Sequence, residues 1–208
     1  LVPSEATAAE CREAGFDPDR LRIVPWGVDP QPVAPGDVEG VRRRFGLQLP
    51  YVLFVGTVEP RKNLGGVIGA VAGLAGRDLD LVIVGPEGWN EYLGGRLAAV
   101  AGTGIGVHRL GFLPPADLAP LYAGAGAFCF PSLREGFGMP VLDAMAPGAP
   151  VVTSAGTATA EVTGDDTHGG IDADGVAVVA RVLGQRREVA GVAGDLLDQR
   201  RDPAHEPD

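Results

Sequence analysis

Apolar positions along the middle of the chain gather into five short runs, the first of them continuous. They are Y-V-L-F-V (51–55), L-D-L-V-I-V (79–84), Ile105–Leu110, Ala127–Phe130 and Pro150–Thr153. The first three each run into a glycine: Gly56, Gly85 and Gly111. Runs without polar alternation suit strands covered on both faces. Between them the period changes. Leu64, Val67, Ile68, Val71 and Leu74 follow helical spacing, with Asn63 as N-cap. Weaker helical spacing covers Tyr92–Ala101, and shorter helices are expected over Ala116–Ala123 and Met139–Ala146. A last one is expected over Gly175–Leu183. Strands alternating with helices at this interval predict βαβ units, a parallel sheet and an α/β fold. Ligands of such sheets bind at the carboxyl ends of the strands, near the point where strand order reverses.

The flanks read differently. Ser4 is placed to cap a helix over Glu5–Ala14 that Gly15 ends. Residues 1–24 look like a piece of another unit. Pro25–Pro35 holds four prolines and reads as linker, so 25–49 is taken as a linker region. The regular alternation gives a domain over 50–184. Residues 185–208 are polar and charged, with the composition of a disordered tail.

Composition narrows the function. The net charge of −10 argues against general nucleic-acid binding. No apolar run approaches the roughly 20 residues of a membrane-spanning helix. The N-terminus has neither the basic region nor the apolar core of a signal peptide, and a cytoplasmic protein is expected. Cys11 and Cys129 suggest neither a disulfide framework nor a metal site, and Cys129 reads as a small core residue. His108, His168 and His205 lack metal-ligand spacing.

The chemistry gathers on loops that follow strands. P-S-L-R-E-G-F-G-M-P-V-L-D-A-M (131–145) reads as a strand end, a glycine loop and a helix start. Pro140 suits the first helical turn. Unpaired backbone N–H groups there favour an anion, and Glu135 and Asp143 would flank it. Glu135 could accept from a sugar hydroxyl or be a plain surface glutamate. Asp143 could accept from ribose or merely stabilise the first helical turn. After the first run comes G-T-V-E-P-R-K-N (56–63), where Arg61 adjoins the chain's only lysine, Lys62. The pair could neutralise a diphosphate or be solvated surface charge. No P-loop, dinucleotide fingerprint or hydrolase elbow is present.

Four motifs in order carry a resemblance: V-G-T-V-E-P-R-K-N (55–63), L-V-I-V-G-P-E-G-W (81–89), L-G-F-L-P-P-A-D-L-A-P-L-Y (110–122) and the 131–145 stretch. Together they resemble the group 1 glycosyltransferases, the retaining nucleotide-sugar transferases of glycosyltransferase family 4. V-P-S-E-A-T (2–7) and I-V-P-W-G-V-D (23–29) are similar to that family's last N-domain segment and its interdomain linker.

The resemblance implies a GT-B architecture of two Rossmann-like domains, with this chain as the C-terminal, donor-binding half. Arg61 and Lys62 match the pair that binds the donor diphosphate, and Glu135 the first glutamate of the E-x7-E motif beside the donor sugar. Gly136, Phe137 and Gly138 match the loop whose backbone contacts sugar and phosphate. Asp143 stands where a ribose-binding glutamate is usual, one methylene shorter, with Leu142 near the same pocket. Gly56 matches a glycine that allows close backbone approach. The implied reaction is retaining glycosyl transfer from a nucleoside diphosphate sugar, GDP-mannose first, with no metal or other cofactor. The implied partner is an acceptor glycan or lipid-linked acceptor, held by an N-terminal domain outside this sequence. Peripheral membrane association of the full enzyme is compatible with such an acceptor. The alternative is a non-catalytic nucleotide-sugar-binding remnant, or one subunit of a split transferase.

Overall fold

A computed structural model describes residues 1–48, 50–88, 93–164 and Leu183. The expected helix over 175–183, apart from Leu183, and the expected tail over 185–208 lie outside the described residues.

The five apolar runs form five strands: β1 (Tyr51–Val55), β2 (Asp80–Val84), β3 (Gly106–Gly111), β4 (Ala127–Phe130) and β5 (Val151–Thr153). All pairs are parallel, in the order β3-β2-β1-β4-β5. Register places Val52 beside both Leu81 and Ala127. Alternation along each strand then sorts side chains to two faces. On one face Val52, Phe54, Leu81, Ile83, Cys129 and Val152 pack under α3 (Leu64–Ala72), whose Leu64, Val67, Ile68 and Val71 are buried. On the other, Tyr51, Leu53, Val82, Phe128 and Phe130 meet α2 (Pro35–Phe45), α5 (Pro115–Gly124) and α6 (Met139–Met145). Helices on both faces make this a doubly wound, Rossmann-like sheet.

Chain order runs outward from β1 through β2 to β3, then restarts at β4 and continues to β5. The reversal therefore lies between β1 and β4. In sheets of this kind ligands bind beside such a reversal, at the carboxyl ends of the strands. The loop after β1 holds Arg61 and Lys62; the loop after β4 holds Glu135 to Gly138.

Three local readings change. Residues 35–45, placed with the linker, are the helix α2, and Val41 joins the core. Pro35 opens it, and the Asp37 carboxylate accepts from the Ala34 N–H at 2.9 Å. The helix over 92–101 contracts to α4 (Gly94–Leu97), followed by turns. Its Gly94–Gly95 start is a poor helix former, and Gly102 and Gly104 adopt left-handed φ just beyond it. A further helix, α7 (Ala158–Thr163), follows β5. Among the described residues no helix is long and apolar enough to cross a membrane.

The first helix, α1 (Glu5–Glu13), forms as its sequence predicts, with Ser4 at the N-cap accepting from the Thr7 N–H. The segment does not stand apart. Val2 bridges Ile23, and α1 rests against α7 and the loop after β4.

Candidate functional site

The loop after β1 closes as one tight turn, Pro60–Lys62, ending at Asn63. Asn63 adopts a left-handed φ of 54° and caps α3 by accepting from the Gly66 N–H at 3.2 Å. This turn is stitched to the loop after β4. The Arg61 carbonyl accepts from the Leu133 N–H at 2.7 Å, and Ser132 Oγ lies 3.0 Å from the same oxygen. Two loops far apart in sequence thus hold one relative position.

Glu135 is the hub. Its Oε1 accepts from Ser132 Oγ at 2.7 Å, Arg61 Nη1 at 3.0 Å and Lys62 Nζ. Lys62 is 8% exposed, and its ammonium lies 4.5 Å from the centre of the Phe130 ring. A buried cation needs such partners. Arg61 is half exposed and also pairs with Glu59 at 2.7 Å. Two cations and two carboxylates therefore balance. Oε2 of Glu135 takes no hydrogen bond among the described residues.

The backbone beyond Glu135 is the second feature. The N–H groups of Glu135, Gly136, Phe137, Gly138 and Met139 find no acceptor among the described residues. Phe137 and Gly138 are nevertheless buried. Buried N–H groups are nearly always paired, so those of Phe137 and Gly138 leave two donors open to an acceptor from outside. Gly138 has φ 108°, which few side chains tolerate, and a Cβ there would lie 2.8 Å from Thr159 Cγ2. Glycine is required at that corner.

The structure brings Arg61, Lys62 and Glu135 into direct contact and places Gly136, Phe137 and Gly138 beside them. Asp143 is not part of that contact. It lies exposed on α6 without a hydrogen bond or ion pair among the described residues. Partial desolvation holds its carboxyl above the ordinary aspartate range. Burial pushes the Tyr122 hydroxyl of α5 upward, and the charge of Asp143 adds to that. Leu142 is half-buried. A Cβ on Gly56 would meet only the Phe54 and Phe130 rings, no nearer than 3.6 Å. The tight approach there comes from Gly85, whose Cβ would fall 2.1 Å from the Gly56 carbonyl oxygen.

Cys129 is fully buried, and burial pushes its thiol up to about 12, as expected for an inert core residue. His108 pairs with Asp80 at 3.3 Å, away from the site.

These features stand at the switch point of a doubly wound sheet: a paired Arg and Lys, a half-satisfied glutamate and a glycine loop of open N–H groups. The family described as glycosyl transferases group 1 matches residues 42–180. The chain belongs to the group 1 glycosyltransferases. Among relatives, O-antigen chain mannosyltransferase B of Escherichia coli is 39% identical over 139 residues, covering 64% of this chain and 36% of that one. MMP alpha-(1->4)-mannosyltransferase of Mycolicibacterium hassiacum is 33% identical over 201 residues, covering 91% and 46%. This group 1 chain thus spans less than half the length of either. In fold it is similar to Anabaena HepE in complex with UDP and glucose (TM-score 0.72, 19% identity, 93% of this chain and 62% of that one). WaaG, a glycosyltransferase involved in lipopolysaccharide biosynthesis, is similar at TM-score 0.72 and 23% identity, covering 90% and 54%. The sheet is that of a GT-B glycosyltransferase.

Several residues that build this cluster escaped the sequence reading. Ser132 and Glu59 hold Glu135 and Arg61, and Phe130 lies under Lys62. Their motif neighbours were the only signal. Ser4 and Thr7 reach the loop from α1, and no local pattern announces that.

Proposed function

We propose that this domain binds a nucleoside diphosphate sugar and forms the donor half of a retaining glycosyltransferase. The observation that carries the proposal is the row of unpaired N–H groups from Glu135 to Met139 beside Arg61 and Lys62. Open N–H groups and two cations make a site for an anion with several oxygens. The free Oε2 of Glu135 is suited to accept from a hydroxyl, so a sugar on the diphosphate fits the same place.

The chemistry follows from charge. Cleavage of the bond between the anomeric carbon and the diphosphate oxygen leaves negative charge on the diphosphate. Arg61, Lys62 and the loop N–H groups stabilise that charge where it develops, with no metal needed for it. The acceptor oxygen bonds to the anomeric carbon on the face the diphosphate leaves, and its proton passes to a departing phosphate oxygen. Glu135 positions the sugar and stabilises its cationic transition state. Asp143 is assigned to the ribose. GDP-mannose is the proposed donor, supported by the mannosyltransferase names of two relatives. The acceptor, a glycan or lipid-linked glycan, is assigned to the rest of a longer enzyme, working at the cytoplasmic side of a membrane.

Calorimetric titration tests the reading. GDP or UDP binds one to one, and Lys62→Ala weakens binding at least about tenfold, as expected for a charge-assisted contact. Failure of both nucleotides to bind overturns it. With a joined acceptor half, NMR of the product shows the donor's anomeric configuration, and an inverted product overturns retention.

A further inference from the structure

Helix α1 holds the glycine loop by its carbonyl side. Ser4 Oγ donates to the Gly136 carbonyl at 2.6 Å, and Thr7 Oγ1 donates to the same oxygen at 2.9 Å. Both lone pairs of that carbonyl are thereby used. Ser4 is 2% exposed, so its hydroxyl has no competing water. A trans peptide is planar, and its C=O and N–H point opposite ways. Fixing the Gly136 oxygen toward α1 therefore aims the Phe137 N–H away from α1, and that N–H has no acceptor among the described residues.

Two further contacts seat the helix, and a third holds the loop. Glu161 of α7 accepts from the Glu5 and Ala6 N–H groups at 2.8 and 2.7 Å, closing the open N-terminus of α1. Arg134, next to Glu135, makes a two-pronged pair with Glu10 at 2.8 and 2.9 Å, and this hydrogen-bonded pair holds the Glu10 carboxyl below the usual glutamate range. Trp26 meets the Phe137 ring edge-on at 5.6 Å between centroids. The loop is thus gripped at Arg134, Gly136 and Phe137 by residues from one N-terminal segment.

We infer that Ser4 and Thr7 are positioning residues for the donor: by clamping the Gly136 carbonyl, they pre-set the loop N–H groups to receive the phosphates. This inference rests on the proposed nucleotide-sugar site. Because α1 belongs to the segment that resembles the end of an acceptor domain, the clamp makes donor affinity depend on whether that segment is seated.

The test uses the 208-residue chain with Thr7→Val, which removes the hydroxyl and keeps the shape, and Thr7→Ser, which keeps the hydroxyl. Two readouts are taken: amide exchange of the buried Phe137 and Gly138 without ligand, and the Kd for GDP and UDP. Thr7→Val is expected to speed exchange and weaken binding, each by about fivefold, the loss of one ordinary hydrogen bond. Thr7→Ser stays at the wild-type values. Unchanged exchange and Kd in Thr7→Val overturns the inference. So does faster exchange with an unchanged Kd, or equal losses in both variants. A wild-type chain that binds neither nucleotide overturns the proposed function instead, and the exchange arm then decides whether α1 clamps the loop.

Discussion

At the scale of single residues, the site is a balance between charges that neutralise each other and groups left open. Lys62 is buried against Phe130 and satisfied by Glu135, so it is held in place before any ligand arrives. Glu135, Arg61 and Lys62 were legible in the sequence, and so were open N–H groups at the helix start. How far the row reaches back, to Glu135, was not, because it depends on where every neighbouring acceptor goes. Asp143 shows the opposite difficulty. Its place in the motif suggested a carboxylate flanking the anion, yet its only resolved influence is on Tyr122. Its pKa is raised in the fold, so the folded chain holds the proton more tightly than the unfolded one. Ionised Asp143 therefore costs stability above the raised pKa, and that cost fades as pH falls through it. Asp143→Asn is expected to melt slightly above wild type at pH 7, with the gap closing in acid, and to bind nucleotide more weakly if it meets the ribose. A melting series from pH 3 to 8 checks the sign; a lower melting point at pH 7 would contradict it.

At the scale of elements, strands were more legible than helices, for a physical reason. A strand covered on both faces needs a nearly unbroken apolar run, as β1, β2 and β4 have, while β3 at the sheet edge carries His108 and Arg109 and is only partly buried. Helix α2 offered only Val38, Val41 and Phe45 among prolines, glycines and arginines. It owes its helicity to tertiary support, including an Arg44–Asp117 pair at 2.8 Å to α5, which local periodicity cannot show. The same contrast decides what each glycine is for. Gly40 in α2 and Gly69 in α3 have ordinary helical backbone and open space where an added methyl would stand, so their flexibility only weakens the folded state. Gly40→Ala and Gly69→Ala should each stabilise by about 0.5–1 kcal/mol. Gly85, with φ 134° and the Gly56 carbonyl against it, cannot take a methyl. Gly85→Ala should destabilise by more than about 2 kcal/mol. Urea unfolding of the three variants separates the two classes, and a neutral Gly85→Ala would contradict the close approach of the loops after β1 and β2.

At the scale of the whole molecule, the proposed site ties together the two halves of the sheet on either side of the switch point. The Pro60–Lys62 turn leaves β1, the Glu135–Gly138 loop leaves β4, and α1 closes over the second. A diphosphate bound between them adds contacts that the unfolded chain cannot make. Ligand that binds only the folded state stabilises it by about 2.7 kcal/mol at 100 times its Kd. For a domain of this size, each kcal/mol moves the melting point by about 2–4 °C, so saturating nucleoside diphosphate should raise Tm by about 5–10 °C. The order of ligands then reads the site part by part. A nucleoside without phosphates leaves the loop N–H groups, Arg61 and Lys62 unused and should shift Tm little. The nucleoside diphosphate should give most of the shift. The matching nucleotide sugar should add to it through Glu135, and Glu135→Gln should remove that increment while leaving most of the diphosphate's effect. GDP-mannose is expected to exceed UDP-glucose; the reverse order would move the donor assignment to a uridine nucleotide without disturbing the phosphate site. A nucleoside that shifts Tm as far as its diphosphate would mean that the loop and its two cations hold no phosphate, and the donor reading would fall with them.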